Sequence, residues 1–166
     1  ACVTAAAAQL DCLGPAPLDY LRRAQHPDGT WGGYWWESQA YATALAAEAL
    51  AATGYPEDTA RVARAAEAAG VLLERAASRD GLDRRPFETA LALRTGLLVP
   101  GAPPAWLGQA RDSLLAGQQA DGSWMSSGAM SIPNRNGEFV PAIDNRRNLT
   151  TATVLTALFR LERGGG

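Results

Sequence analysis

One seven-residue pattern occurs twice in this chain and constrains its fold more than any other feature. The pattern Gln-x-x-Asp-Gly-x-Trp spans residues 25–31 and returns 93 positions later, at residues 118–124. Four fixed positions out of seven rarely recur by chance, so the chain is built from repeats. Asp-Gly marks a tight turn in which glycine takes a positive φ, and tryptophan supplies a large apolar face with one N–H donor. We therefore predict that each pattern is a turn between helices.

The defining residues of the two turns are predicted to join successive repeats rather than to perform chemistry. A glutamine amide both donates and accepts hydrogen bonds, so it can tie neighbouring backbone ends together. The tryptophan that follows the turn can pack between helices. The residues with this predicted structural role are Gln25, Gly29, Trp31, Gln118, Gly122 and Trp124.

A second repeat signal lies between these turns. Thr43-Ala44 and Thr89-Ala90 each lie near the start of an Ala/Leu-rich stretch with few charges, and weaker copies occur at Thr4 and Thr151. A helix that is apolar nearly all round is a buried helix. Amphipathic segments at residues 18–25, 56–78 and 104–119 alternate with these stretches. The order predicts about seven helices, four inner and three outer, in two concentric layers or in a helical solenoid.

Composition limits the classes of partner and site. The 166 residues are 47% hydrophobic and 19% charged, which suits one globular domain, and the net charge of −2 argues against nucleic-acid binding through a basic face. Cys2 and Cys12 fall ten residues apart in one predicted helix, too far apart for a disulfide. Free thiols suit a reducing compartment, so we expect a cytoplasmic protein, with peripheral attachment to a membrane left open. With His26 as the one histidine, we expect no metal site.

Several residues together resemble a known family. These are the two Gln-Trp turns, the Thr-Ala helices and the run Ile132-Pro133, Asn145-Arg146 and Thr150-Thr151-Ala152 that follows Trp124. They resemble the squalene-hopene cyclase and class II terpene cyclase superfamily, with the prenyltransferase β-subunits as more distant relatives. The similarity covers essentially the whole chain.

The resemblance implies an all-α fold, in which a complete domain is a double-layered α/α barrel (toroid) of about twelve inner and outer helices. With about seven helices, this chain is expected to be one domain over residues 1–166 that forms the C-terminal half of such a barrel and is incomplete at its N-terminus. A half-barrel exposes apolar inner helices at its open edges, and large apolar patches call for a partner. We therefore expect a homodimer, or pairing with a missing N-terminal half.

The resemblance also implies an activity, cyclisation of a polyprenyl chain or prenyl diphosphate by protonation, as in isoprenoid biosynthesis. The family protonates its substrate with an aspartic acid in a D-x-D-D motif, which these 166 residues do not contain; the nearest acidic grouping, Asp80 with Asp83, lies at a decayed turn. We therefore expect the initiating acid of such an isomerase or lyase to come from a missing segment or partner. The alternative is a non-catalytic α/α half-barrel that binds a hydrophobic ligand or a partner protein.

Aromatic residues are the predicted lining of a substrate cavity. Rings that face a cavity stabilise carbocations through their quadrupoles. The candidates are Tyr34, Trp35, Trp36, Tyr41 and Phe87. The competing interpretation is packing between the helix layers, and the adjacent Trp35 and Trp36 cannot both face inward easily.

Two arginine pairs precede predicted inner helices at equivalent places. Arg84-Arg85 and Arg146-Arg147 each begin three residues before the first residue of a repeat copy, Phe87 or Leu149. Helix N-termini and arginine forks favour phosphate oxygens, so these pairs are candidates for holding the diphosphate of a prenyl substrate, with Mg²⁺ only if the substrate is a diphosphate. The competing interpretation is a solvated surface pair.

Three acids also lie near the starts of inner helices. Glu37, Glu88 and Asp144 could be polar groups at the mouth of the cavity, or dipole partners of the helices that follow them. The long loops at residues 32–39 and 125–147 are the segments most expected to be functional, because long loops inside compact domains are uncommon.

Overall fold

A computed structural model of the chain describes residues 1–8, 10, 14–101 and 104–164, apart from the side chains of Asp80 and Asp83. Cys12, which was predicted to share a helix with Cys2, lies outside these residues. The elements in chain order are α1 (Cys2–Ala7), α2 (Ala16–Ala24), α3 (Ala40–Ala51), α4 (Pro56–Asp80), a 3₁₀ turn (Leu82–Arg84), α5 (Pro86–Gly96), α6 (Trp106–Ala116), β1 (Ala129–Pro133), β2 (Phe139–Ile143) and α7 (Asn148–Gly164).

The helices form two layers. Helices α1, α3, α5 and α7 lie side by side in that order, while α2 packs against α1 and α3, α4 against α3 and α5, and α6 against α5. Across the described residues there are seven α-helices, as the sequence predicts, joined by one small sheet. The chain is therefore mostly helical, and closure of the two layers into a barrel stays a prediction.

Helices α3 and α5 owe their central position to their composition. Nine of the twelve residues of α3 are buried, and so are all but one of the eleven residues of α5. Alanine dominates α3, and its small side chain lets neighbouring helices approach closely on every side. The stretches that are apolar all round are thus the ones that other helices surround.

Helix α4 is the longest outer helix, with 25 residues. Pro56 begins it, where the missing N–H of proline costs nothing, and Gly81 follows it with a φ of +81°. Its small and branched side chains Val62, Ala65 and Ala69 are buried on one face.

In the described residues no helix combines the length and apolarity needed to cross a bilayer.

Glycines let the first residue of α6 insert between two other helices. The indole of Trp106 approaches Gly70 of α4 and Gly96 of α5 so closely that an added methyl group would lie 2.5 Å and 2.7 Å from its ring atoms. Real Cβ atoms do not come this near to a heavy atom. Trp106 is therefore held by the absence of side chains on two neighbouring helices.

The two Gln-Trp turns have the same internal geometry. Trp31 is fully buried and donates from Nε1 to the carbonyl oxygen of Leu21 at 2.9 Å, while Trp124 donates to that of Leu114 at 2.7 Å. The two glycines have φ values of +86° and +83°, as a tight Asp-Gly turn requires. Each turn thus anchors its tryptophan to the outer helix that precedes it.

The segment of residues 125–147, expected to be a long loop, contains a β-hairpin instead. Strands β1 and β2 pair antiparallel, from Ala129 opposite Ile143 to Pro133 opposite Phe139. The strands contain two prolines and are exposed on both faces, so they lack the alternation of apolar and polar residues that normally indicates a strand. The other long loop, residues 32–39, pairs with the hairpin. Trp36 forms a bridge with Met130, and the carbonyl oxygen of Trp35 accepts a hydrogen bond from the amide of Ser131 at 2.8 Å.

Candidate functional site

A cavity of about 1020 Å³ opens where helices α3 and α5 begin. Its walls come from the first turn of α3, from one face along most of α5, from the C-terminal half of α4, and from the hairpin and the loop that pairs with it. Leu72, Leu73 and Leu91 supply apolar surface on the helical side. The volume lies at the upper end of the range for small-molecule sites, and the mixture of apolar wall and polar rim suits an amphiphilic ligand.

Three of the predicted aromatic residues form a stacked cluster beside this cavity. The ring of Trp36 lies 4.4 Å from that of Tyr41 and 5.1 Å from that of Phe87, between centroids, and the planes of Trp36 and Phe87 differ by 23°. Trp36 and Phe87 line the cavity, whereas Tyr41 contacts them from outside its wall. Phe87 is almost fully buried, which fixes its ring.

The other two predicted aromatics lie elsewhere. Tyr34 packs edge-to-face on Trp35, with centroids 5.0 Å apart, and on Phe139 of β2 at 5.4 Å. All three rings are exposed, and neither Tyr34 nor Trp35 lines the cavity. Trp35 therefore contacts Tyr34 on the surface, while Trp36, its neighbour in the chain, lines the cavity.

A carboxyl group lies in the wall of the cavity next to Phe87. Ser127 donates from its hydroxyl to Oε2 of Glu88 at 3.1 Å and accepts the backbone N–H of Phe87 at 2.9 Å. Arg85 lies 3.8 Å from Oε1 of the same carboxyl. Burial raises the pKa of Glu88 above that of an ordinary glutamic acid, while the hydrogen bond from Ser127 and the charge of Arg85 oppose the rise. The site therefore holds a carboxyl whose protonated form is favoured by its surroundings.

The remaining predicted acids are divided between two places. Glu37 lines the cavity and, as a second negative charge, adds to the rise in the pKa of Glu88. Asp144 does not line it; its Oδ2 accepts the backbone N–H of Thr150 at 2.9 Å in the first turn of α7. Asp144 thus caps a helix, whereas Glu37 and Glu88 share the cavity.

The two arginine pairs do not come together. Arg84 and Arg85 line the cavity, but Arg146 and Arg147 do not. Arg147 has a φ of +60° and lies 3.3 Å from Asp121 of the second Gln-Trp turn, where both side chains are exposed. The loop that carries this pair belongs to the hairpin segment, and it turns away from the cavity before α7 begins.

Two arginines that the sequence analysis did not single out join the first pair. Arg75 and Arg79, from the last turns of α4, line the same cavity as Arg84 and Arg85. They are four residues apart, so they project from one face of the helix. That spacing, read together with the pair at 84–85, is the signal from which a four-arginine cluster could have been predicted.

Within the described residues no group of three or more His, Cys, Asp or Glu side chains is arranged to hold a metal ion.

A second polar cluster lies at the opposite ends of the inner helices. Glu48 of α3, Arg94 of α5 and Arg160 of α7 form an ion triad in which Glu48 and Arg94 are both buried. Glu48 and Arg160 also border a smaller cavity of about 720 Å³. The sequence carried a signal for it, because a charged residue stands five positions after the repeat threonine in both α3 and α5.

Several solved structures are similar to this chain, including the following three. A variant of the type II terpene cyclase MstE from Scytonema, in complex with geranylgeranyl dihydroxybenzoate as substrate, is 32% identical, covers 98% of this chain and 54% of that one, and has a TM-score of 0.82. A protein from Actinoplanes is 34% identical over 97% of this chain and 55% of that one, with a TM-score of 0.81. The ent-copalyl diphosphate synthase from Streptomyces platensis is 28% identical over 90% of this chain and 27% of that one, with a TM-score of 0.58.

These similarities extend over nearly all of this chain but only part of each neighbour. The chain spans 54% and 55% of the lengths of the first two proteins. No protein-family model matches the chain, and neither does any curated protein sequence.

Proposed function

We propose that this chain, which belongs to the class II terpene cyclase superfamily, forms one wall of the cavity in which such an enzyme cyclises a polyprenyl chain or prenyl diphosphate by protonation. The acid that starts the reaction comes from a segment outside these 166 residues, since they contain no D-x-D-D motif. The chain's own contribution is to fold the substrate and to stabilise positive charge as rings close.

The stacked rings at the cavity wall carry this proposal. Trp36 and Phe87 lie on the wall with their planes nearly parallel, and Tyr41 supports Trp36 from behind. An aromatic face stabilises a cation within about 6 Å by roughly 0.5–2 kcal/mol, with the larger value where water is excluded. A polyprenyl chain lying against this wall would develop its cationic carbons beside the Trp36 ring and the Phe87 ring stacked on it.

The arginine cluster suits the polar end of the same substrate. Arg75, Arg79, Arg84 and Arg85 border the cavity, and guanidinium forks match the oxygens of phosphate or carboxylate groups. The apolar part of the cavity and this charged part together fit an isoprenoid with an anionic head. The chain's pairing with a second half, or with another copy of itself, would close the remaining sides and complete an α/α barrel.

Mg²⁺ would accompany the substrate only if its head is a diphosphate. The donors at this part of the cavity are mainly guanidinium groups, which bind phosphate oxygens and do not bind metal ions. Of the two carboxyl groups, that of Glu88 already accepts a hydrogen bond from Ser127. The arginines therefore contact the head group directly, and any Mg²⁺ would arrive with the diphosphate.

The test compares two adjacent tryptophans in the complete gene product. The enzyme is incubated with squalene and with geranylgeranyl diphosphate, and cyclised products are measured by gas chromatography with mass spectrometry. Trp36→Leu and Phe87→Leu should each lower product formation about tenfold or shift it to partly cyclised products, since each removes one aromatic face worth up to about 2 kcal/mol. Trp35→Leu is the matched control, because its ring is exposed and does not line the cavity.

Two outcomes would count against the cyclase proposal. Equal effects of Trp35→Leu and Trp36→Leu would show that the cavity ring has no special part in the reaction. Saturable binding of both isoprenoids with no cyclised product from the complete protein would instead favour the alternative, a non-catalytic domain that holds a hydrophobic ligand.

A further inference from the structure

The two Gln-Trp turns have the same internal bonds but different surroundings. In each turn the glutamine Nε2 donates to the carbonyl oxygen of the turn glycine at 3.1 Å: Gln25 to Gly29, and Gln118 to Gly122. The tryptophan amide of each turn donates to the repeat threonine of the following inner helix, Thr43 or Thr151. These contacts align the two copies residue by residue, so differences around them are meaningful.

Helix α4 covers the first turn. Gln25 donates from Nε2 to the carbonyl oxygen of Arg61 at 3.0 Å and accepts from the guanidinium of Arg64 at 2.8 Å. The turn presses so closely on the helix that a methyl group at Gly29 would lie 2.4 Å from the carbonyl oxygen of Arg64. The glutamine and the glycine together form a socket for one turn of an outer helix.

The same socket at the second turn is uncovered. Among the described residues, Gln118 makes only its bond within the turn, and no helix there supplies the carbonyl and guanidinium partners that Gln25 has. A methyl group at Gly122 would meet nothing nearer than 4.0 Å, the side chain of Gln118 itself. Both residues are exposed. Gln118 and Gly122 therefore form the polar half of a helix-binding surface that no helix of the described residues covers.

The apolar half of the surface lies on α7. Counting from the aligned threonines Thr43 and Thr151, Leu155 occupies the position of Ala47 in α3, and Phe159 the position of Ala51. Ala47 is fully buried in the cluster that includes Val62 and Ala65 of α4, whereas Leu155 is 51% exposed and Phe159 54% exposed. The side chain of Arg163 lies over the Phe159 ring at 4.4 Å without burying it.

We propose that Gln118, Gly122, Leu155 and Phe159 form a docking site for one amphipathic α-helix from another polypeptide segment. The first copy defines the chemistry of the occupant: small apolar residues along one face, a backbone carbonyl that accepts from the glutamine amide, and an arginine one turn further on that donates to its oxygen. The site does not depend on the proposed enzymatic activity.

A second folded copy of this chain does not meet that description. Its outer helices α2, α4 and α6 already pack against its own inner helices. Their apolar faces are consumed by these contacts, so a folded copy has no free helix of the required kind. The occupant is a helix that is exposed before it binds.

The probe for the test is a synthetic peptide with the sequence of residues 55–79, acetylated, amidated and labelled with fluorescein. It contains the helix that covers the first socket, and its binding to the whole chain is followed by anisotropy. We expect saturable one-to-one binding. Gln118→Ala in the chain and Arg64→Ala in the peptide should each weaken binding about tenfold, as loss of a hydrogen bond to a charged group does. The two changes together should weaken it little more than either alone, because they remove the same bond.

Matched controls separate the socket from general attraction. Gln119→Ala changes the neighbouring exposed glutamine, and Arg75→Ala in the peptide removes the same charge from a different turn; both should leave the affinity unchanged. Phe159→Ser should weaken binding through the apolar half of the site. Absence of saturable binding, or equal effects of Gln118→Ala and Gln119→Ala, would overturn the proposal. Self-association of the chain that Phe159→Ser abolishes and the peptide does not displace would also overturn it, in favour of a second copy as the occupant.

Discussion

Glu48 and Arg94 meet as two planar forks between the buried helices α3 and α5. The guanidinium donates from Nε to Oε1 at 2.8 Å and from Nη2 to Oε2 at 2.7 Å. Arg160 of α7 adds a third donor to the same carboxylate. Bidentate pairs of this kind combine strength with fixed geometry, so one carboxylate sets the relative position of three inner helices.

Arg94→Leu should lower the free energy of unfolding by about 3–5 kcal/mol, because it leaves the buried Glu48 with only the half-exposed Arg160. The double variant Glu48→Leu/Arg94→Leu should recover most of this loss, since no charge remains unpaired in the interior. Urea unfolding followed by circular dichroism measures both. Arg111→Leu, which breaks an exposed pair with Asp112, is the control and should cost less than about 1 kcal/mol. Equal losses in the single and double variants would mean that packing, and not charge, is responsible.

The two turn glycines form a matched pair for a second prediction. Gly29→Ala and Gly122→Ala should each cost about 1–2 kcal/mol, because both positions have positive φ. Gly29→Ala should cost about 1–3 kcal/mol more, since its methyl group must push the turn away from the backbone of α4. Comparison of the two unfolding free energies isolates the contact with α4 from the backbone strain. Equal losses of unfolding free energy for the two variants would show that Gly29 does not pack tightly against the backbone of α4.

Helix glycines provide a third prediction that runs against helix propensity. Gly108→Ala in α6 has open space around the new methyl group and should stabilise the chain by about 1 kcal/mol. Gly70→Ala and Gly96→Ala should instead destabilise it by about 1–3 kcal/mol, because the methyl groups collide with the indole of Trp106. Thermal unfolding of the three variants tests the difference in sign. Stabilisation by all three would contradict the close packing of Trp106.

The pKa of Glu88 makes the stability depend on pH. Burial raises it in the folded state, so between the ordinary pKa of glutamic acid and this higher value the unfolded chain has released a proton that the folded chain still holds. The free energy of unfolding therefore falls as pH rises through this window and stays lower above it. Glu88→Gln keeps an acceptor for Ser127 and cannot ionise, so it should gain stability relative to the parent at pH 7 but not at pH 4.

Urea titrations at several pH values measure this difference, with Glu67→Gln on the exposed side of α4 as the control. If Glu88→Gln has the same dependence on pH as the parent, the carboxyl is not shifted by its surroundings.

The helices were predictable because their signals are local. Pro56 and Gly81 mark the limits of α4, and the Ala-rich composition of α3 already indicates burial. The hairpin was not predictable in this way, since its strands carry Pro133 and Pro141 and depend on pairing with the distant Trp36. The bridge between Trp36 and Met130 joins residues nearly a hundred positions apart, and the local sequence of neither segment indicates it.

The candidate site was predictable only in part, for a similar reason. Phe87 and Arg84 could be placed by their position in the repeat, but Arg146 occupies an equivalent place in the sequence and lies elsewhere. The inserted hairpin moves that pair away, and a repeat alignment cannot show this. Ser127 contacts Glu88 and Phe87 across 39 and 40 residues, so only the fold reveals its part in the site.

The different placement of Trp35 and Trp36 has a consequence for the evolution of the cavity. One indole lines the cavity and the other is exposed, because Trp36 pairs with Met130 of β1 whereas Trp35 packs on the exposed ring of Tyr34. Inserting or deleting a single residue ahead of Trp36 would bring a different side chain opposite Met130 and so change the ring at the cavity wall. The register of this short segment against β1, more than the identity of either tryptophan, decides which ring a substrate meets.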